Sequence, residues 1–522
     1  MLGKKEVREI LEKRFEKDIH TKISQIPLPC HLKDTYKAAD RIKVAIERNE
    51  CIAIVGDYDV DGIVSSVILA EFFDLLGATY QVKIPNRFKD GYGLNSHILD
   101  ELEGVSLIIT VDNGISAVDA AKACKQKGVD LIITDHHMPP PELPDAYAII
   151  NPKQHECPFP NIEICGAEVA WYLVGALKEA CKVEYDMANM LDLIVIAIIA
   201  DMMELRDLNR LLVKMGIKKL NSSTRPCFGV IKNFYAKDFF EFDDISFLIA
   251  PLINSTGRMF DATLSYNFLR AKTYKEANYY LDRITQLNQN RKDEERMLYE
   301  NSLLKVGDND EIIVTWGDNW HEGVIGIVAS RLTKTYKRPA IVFSVDKYRA
   351  KGSARSVGKF DILREISLHK ELLLSFGGHK GAAGIVIEPR RLEEFKIAIN
   401  SSCFLQDLDI SPYSDELLGE IDMSQVDLEM LEILEFFEPY GQKNPKPVFT
   451  ISNALVKSVK TIGKEENHLK INLEKDGVTA EALFFNYDTK PNINEEINIV
   501  TTIMKNSFRG KISPKFVIKE IC

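Results

Sequence analysis

Three aspartates alternate in Gly56-Asp57-Tyr58-Asp59-Val60-Asp61-Gly62, immediately after the apolar run 51–55. Alternating carboxylates just past a strand can converge on one point, and Gly62 permits a sharp turn into a following helix. Crowded carboxylates repel, and one or two divalent cations are the simplest means of keeping them all ionised. Taken alone, the run also fits a solvated acidic turn, because Asp and Gly are standard turn residues. Its company shifts the balance. Asp112-Asn113-Gly114 follows the apolar run 105–111, and Asp135-His136-His137 follows 129–134. Asn-Gly is above all a turn signal, but a carboxylate with two imidazoles at a strand end offers mixed donors that suit manganese, iron or zinc and tolerate magnesium. One histidine can ligate while its neighbour faces substrate. Asp201 ends a further apolar run, 193–200, where a charge beside a core needs a partner and a metal supplies one. Together these residues fit a two-metal phosphoesterase, in which both ions stabilise the attacking and leaving oxygens of a displacement at phosphorus.

Such groups must be brought together by a sheet. The runs 51–55, 105–111 and 129–134 read as buried parallel strands with functional groups at their carboxyl ends, separated by helix-like stretches at 65–76 and 117–127. The second run is predicted beside the first, so that Asp112 emerges on the same sheet edge as Asp59 and Asp61. Periodicity leaves 193–200 open between helix and strand. Residues 264–306 turn helical, with Leu281, Ile284 and Leu287 on one stripe, and suggest a connecting helix or helix pair. A second α/β segment runs from about 311 to 401. The final region is first helical and then a series of short β-like runs, 448–451, 469–473, 479–485, 497–503 and 516–518, which suggests a small barrel. The expected segments are 1–48, N-terminal and helical; 49–263, bearing the acidic set; 264–310, connecting; 311–401, the second α/β domain; and 402–522, the barrel.

With 522 residues, 45% hydrophobic and 27% charged, the composition is that of a multidomain soluble protein, and no apolar run is long enough to cross a bilayer. The charged start has no apolar stretch after it, so no signal peptide is expected. Nine scattered cysteines, none in a Cys-x-x-Cys pair, read as reduced thiols in a cytoplasmic protein. His155, Cys157 and Cys165 lack a fourth ligand for zinc. A net charge of −11 argues against a protein that coats DNA by bulk attraction, though not against a local basic groove. His321-Glu322 is not a zinc-protease motif, since Ile325 stands where the second histidine belongs, and the stretch from Gly352 to Lys359 has the wrong spacing for a P-loop.

The ordered set Asp-x-Asp-x-Asp-Gly, Asp-Asn-Gly, Asp-His-His and Ala-Asp resembles that of the DHH phosphoesterase superfamily. From about residue 50 nearly to its end the chain resembles that superfamily's single-strand-specific DNA exonucleases. The resemblance implies an α/β fold: a DHH domain with a mostly parallel sheet, a long connecting helix, an α/β DHHA1 domain and a C-terminal OB-like β-barrel. It implies Asp59, Asp61, Asp112, His136 and Asp201 as ligands of Mn2+ or Mg2+, two ions in all, with Asp57 and His137 as catalytic groups. His137 is the candidate for polarising the phosphate or protonating the leaving oxygen. Relatives with a histidine four residues before the first ligand aspartate gain a further donor; this chain has Val55 there.

Arg87, in Arg87-Phe88-Lys89-Asp90-Gly91-Tyr92-Gly93-Leu94, belongs to a stretch similar to a family loop on the substrate path. Arg258, in Asn254-Ser255-Thr256-Gly257-Arg258-Met259, is expected near the scissile end, with Leu252 where an arginine is common. The stretches 321–331, 352–356 and 377–384 resemble DHHA1 motifs that hold nucleic acid. There Ser353, Arg355 and His379 are the expected contacts, with glycines that let backbone N–H groups approach phosphates. Pro439 to Phe449 resembles the approach to an OB fold, with Lys443 in place of the usual glycine, and Lys457, Lys460, Lys464, Lys470 and Arg509 are available to a single strand. The function so implied is 5′ to 3′ degradation of single-stranded DNA to mononucleotides, in repair and recombination. The chain would act as a cytoplasmic monomer, alongside single-strand-binding protein and a helicase. The alternative is a DHH phosphodiesterase of short oligonucleotides or small nucleotides, against which the barrel-like tail argues; a non-catalytic scaffold fits the intact acidic set poorly.

Overall fold

Ile52–Val55 (β1), Leu107–Val111 (β3) and Asp130–Thr134 (β4) are nearly unbroken apolar runs because both faces of their sheet are covered. In the computed structural model they pair in parallel, with Tyr80–Lys83 (β2) and Ala148–Ile150 (β5) at the edges, in the order β2-β1-β3-β4-β5. The structure describes residues 1–402, 416–463, 466–487, 489–508 and 511–522. As expected, the second apolar run lies directly beside the first.

The helix after β1 begins at Val60, five residues before the expected 65, because the Asp59 carboxylate caps it by accepting from the Asp61 and Gly62 N–H groups. The undecided run proves to be a helix, Leu191–Ala200, buried on nearly every side against the Val60–Leu76 helix, and Asp201 is its C-cap. A helix apolar all round carries no periodic signature, so its sequence could not distinguish it from a strand.

The connecting region is a pair, Thr263–Leu269 and the 30-residue Tyr274–Leu303, the latter opened by reciprocal capping between Thr273 and Glu276. The second sheet follows: Ile313–Asp318 (β6), Ala340–Val345 (β7), Ala350–Arg355 (β8), Leu373–His379 (β9) and Ala382–Ile387 (β10), in the order β6-β7-β8-β10-β9. Ala350 and Ala354 of β8 pack into the apolar cluster on one face. Strand alternation therefore turns Lys351, Ser353 and Arg355 to the other face, where the Glu322–Tyr336 helix packs.

Everything above lies in one compact unit, residues 27–201 and 215–412; the second unit comprises 1–26, 202–214 and 413–522. In the second unit Val448–Ile462 (β12), His468–Lys475 (β13), Val478–Phe485 (β14), Glu496–Phe508 (β15) and Lys511–Ile521 (β16) close into a five-stranded barrel, because β12 pairs with β13 and also with β15. Leu417–Glu420 (β11) adds in parallel to β12. β12 runs eleven residues beyond the expected 451. Irregularities at Ile451/Ala454 and Val456/Ser458, with Asn453 at φ 53°, bend it from one partner to the other, and the polar residues at those bends interrupted its apolar pattern. Val7 and Leu11 of the Lys4–Lys13 helix are buried in the barrel core. Among the described residues no helix is long and apolar enough to cross a membrane.

Candidate metal centre and its approaches

The carboxyl edge of the parallel sheet gathers the acidic residues. His136 Nε2 lies 3.2 Å from Asp112 Oδ1, 3.5 Å from Asp201 Oδ2 and 3.7 Å from Asp61 Oδ2. Three overlapping triads bring donor atoms within 4.8 Å of one another: Asp61, His136 and Asp201; Asp112, His136 and His137; Asp57, Asp59 and Asp112. All seven residues expected from the sequence as ligands or catalytic groups therefore stand together.

Burial, then repulsion by Asp59, lifts the Asp61 carboxyl to about 6. Burial, then Asp61, raises Asp201 to about 8, and the same pair of causes raises Asp112 well above the carboxylate range. Burial with Asp59 does likewise for Asp57. His136 is pushed down to about 3, by burial and then by the neighbouring His137, so its ring is neutral. A neutral imidazole facing three carboxylates, with Asp112 Oδ1 and Asp201 Oδ2 buried and lacking hydrogen-bond partners among the described residues, is a donor set for a cation. Oxygen donors with one or two imidazoles suit Mn2+ and accept Mg2+. Since raised carboxyls hold protons that a cation must displace, Mn2+ affinity should climb as pH rises through the Asp61 and Asp201 range, from about 6 to about 8. Calorimetry in buffers of different ionisation enthalpy should find more protons released per ion at pH 6.5 than at 8.5; equal release would refute this.

The donors are held from behind. Gly166 and Ala167, at the start of the Gly166–Ala180 helix, donate backbone N–H groups to both Asp61 oxygens, at 2.5 and 2.8 Å. Asn254 Oδ1 accepts from the Val60 N–H at 3.1 Å, and Gly257 lets the Ala250–Met259 helix approach so closely that a Cβ there would sit 2.1 Å from the Tyr58 carbonyl oxygen. Among the described residues Asp135 joins none of these triads. Its Oδ1 accepts from the His136 and His137 N–H groups and from His137 Nδ1 at 2.7 Å, while Oδ2 accepts from Ile115. Burial would raise Asp135, but these bonds outweigh it and hold it low. The His137 ring, which burial alone would keep neutral, is raised to about 9 by Asp135 and is protonated at neutral pH. The two helix-start amides carry no residue signature in the sequence, and nothing in the Asp-His-His triplet reveals there that its aspartate serves the histidines.

Beside the acidic groups stands a basic cluster. Burial and then Arg87 lower Arg258 to about 10, with Arg291 and Arg355 adding to the effect and Asp59 opposing it. Arg355 is lowered by burial and by Arg87, and its Nη1 donates to Ser353 Oγ at 3.0 Å. Arg87, Arg258 and Arg355 have no carboxylate within 4 Å among the described residues, whereas Arg291 pairs with Glu295 at 3.0 Å. Clustered guanidinium groups without paired carboxylates favour a phosphate, which takes several such donors at once. Aromatic rings edge this cluster: Phe88 meets His321 edge-on, centroids 5.4 Å apart. His379 is exposed on the edge strand β9, two strands from Arg355 and in register with it through Ala382.

Other expectations fall elsewhere. Val55 packs in an apolar cluster with Ala53 and Ile108 and offers no ligand. His155 is exposed while Cys165 is buried, and they join no donor group among the described residues. On the barrel, Lys457 pairs with Glu474 at 3.2 Å and Lys470 with Glu481, so both are partly neutralised; Lys464 and Arg509 lie outside the described residues.

A parallel sheet with this acidic edge, continued through a long helix into a second sheet with a basic face, defines a protein of the DHH class. Family models agree: residues 51–198 match the DHH family N-terminal domain, 309–403 the DHHA1 domain and 419–520 the RecJ OB domain. The chain belongs to the RecJ family. It is 34% identical to the single-stranded-DNA-specific exonuclease RecJ of Bacillus subtilis, over 96% of this chain and 65% of that one. Against the exonuclease of the same name from Haemophilus influenzae the identity is 30%, over 97% and 93%. The crystal structure of RecJ in complex with Mn2+ from Thermus thermophilus matches with a TM-score of 0.86 at 24% identity, covering 100% of this chain and 76% of that one. A crystal structure of exonuclease RecJ bound to manganese matches with a TM-score of 0.65 at 29% identity, over 73% of this chain and 98% of that one.

Proposed function

We propose that this chain is a metal-dependent exonuclease that degrades single-stranded DNA 5′ to 3′ to mononucleotides, in repair and recombination. The observation that carries the reading is the adjacency of the overlapping donor triads to arginines that lack carboxylate partners among the described residues. In this reading Asp59, Asp61, Asp112, His136 and Asp201 hold two Mn2+ or Mg2+ ions, and Asp57 completes the acidic edge. Bound there, the cations would neutralise charge developing on the phosphoryl oxygens. His137, its Nδ1 committed to Asp135, presents Nε2–H to the phosphate or the leaving oxygen. Arg87, Arg258 and Arg355, with Ser353, seat the strand's 5′-terminal phosphate. The following phosphodiester then falls at the donor triads, an arrangement suited to releasing one nucleotide at a time. The exposed β9–β10 surface with His379 takes the nucleotides that follow. By the same family reading the enzyme is a cytoplasmic monomer, whose single strands are delivered by a helicase in the presence of a single-strand-binding protein.

A long single strand labelled at its 5′ end should yield the labelled mononucleotide first, in Mn2+. Release of a 3′ label first would overturn the polarity, and turnover of dinucleotides alone would favour the small-substrate reading.

A further inference from the structure

We infer that Tyr58, which stands between the first two aspartates of the acidic run, is a positioning residue whose ring holds the Arg87 guanidinium ready for the 5′-terminal phosphate. The inference rests on the reading of Arg87 given above.

Arg87 lies on an irregular loop. The loop backbone is pinned: Asn86 donates through its side-chain amide to the Phe260 carbonyl at 2.8 Å, its N–H is accepted by Asp90 at 2.9 Å, and its Oδ1 accepts from Phe88 at 3.0 Å. None of these bonds fixes the Arg87 side chain. Its guanidinium instead lies over the Tyr58 ring, 4.3 Å from the centroid. An arginine without a carboxylate partner otherwise samples many rotamers, and an aromatic face restrains a planar cation without neutralising it, leaving its N–H groups for an anion.

The ring itself is well fixed. The Tyr58 carbonyl is pressed against Gly257, and the next turn of chain is held by Asn254 through the Val60 N–H. Tyr92 meets the ring edge-on, centroids 6.2 Å apart at 78°, and Tyr92 in turn stands edge-on to His137 at 6.4 Å and 88°. Arg87 thus leans on a surface built from the same turn that carries Asp57 and Asp59. The phosphate seat and the donor triads are thereby set at a fixed offset.

The test is the ratio of kcat/KM for a 5′-phosphorylated strand to that for the same strand with a 5′-hydroxyl. Tyr58→Leu should lower this ratio about tenfold, Arg87→Ala should lower it at least as much, and the double variant should fall no further than Arg87→Ala alone. Tyr58→Phe, which keeps the aromatic face, should stay within about threefold of the parent. Mn2+ affinity, read by electron paramagnetic resonance, should be the same in Tyr58→Leu as in the parent. An unchanged ratio in Tyr58→Leu, additive effects in the double variant, or loss of Mn2+ binding would each overturn the inference. A ratio near one in the parent protein would instead overturn the reading of the arginines on which it rests.

Discussion

Asp112→Asn and His136→Ala should each lower kcat at least about a thousandfold and abolish saturable Mn2+ binding, in single-turnover assays and calorimetry respectively. Asp112 belongs to two of the three donor triads and is the nearest of the three carboxylates facing His136 Nε2, so its charge serves the whole cluster. Asparagine is the informative replacement. Asp112 sits at φ 61°, a left-handed conformation that most side chains resist but asparagine tolerates, so the backbone survives while the charge goes. Stability should move the opposite way. Asp112 is buried among Asp61, Asp59, Asp57 and Asp201, all raising its pKa, so in chelator the variant should melt above the parent. A variant that retained Mn2+ binding, or melted lower in chelator, would contradict this account of the centre.

Gly166→Ala should cost about a hundredfold in Mn2+ affinity and comparably in activity, although it removes no donor. A Cβ at that position would lie 2.6 Å from Asp112 Cβ and 2.8 Å from its Oδ1, closer than real contacts allow. The helix start would have to withdraw, taking with it the two amides that bind Asp61. One methyl group thus disturbs two acidic residues. Melting in chelator would separate this from unfolding: a folded variant with normal Mn2+ affinity would refute the steric argument.

Much of this arrangement could be read from residue types alone. Continuous apolar strands ending in Asp57, Asp112 and Asp135 announce a parallel sheet with polar groups at one edge, because few other arrangements satisfy both the burial and the charge. What stayed hidden depends on backbone geometry or on distant pairing. The Gly166 and Ala167 amides look like any other amides in a sequence. The 191–200 helix has no polar face to betray its period. Asp135 shares its residue type with the candidate ligands, and only its bonds to the His137 ring and three backbone N–H groups set it apart. Lys457 and Lys470 look available until the barrel places Glu474 and Glu481 beside them.

In the proposed function, the seat of the 5′-phosphate is divided in a way that has a kinetic consequence. Arg258 follows Asn254 and Gly257 on a helix locked to the acidic turn, and Arg87 leans on that same turn, whereas Arg355 belongs to the second sheet. In the proposed function, a displacement of that sheet would loosen the grip on the terminal phosphate while Asp61 and Asp112, carried by the first sheet and the helix after it, stayed where they are. In that reading, release of a spent nucleotide would be separable from release of the cations.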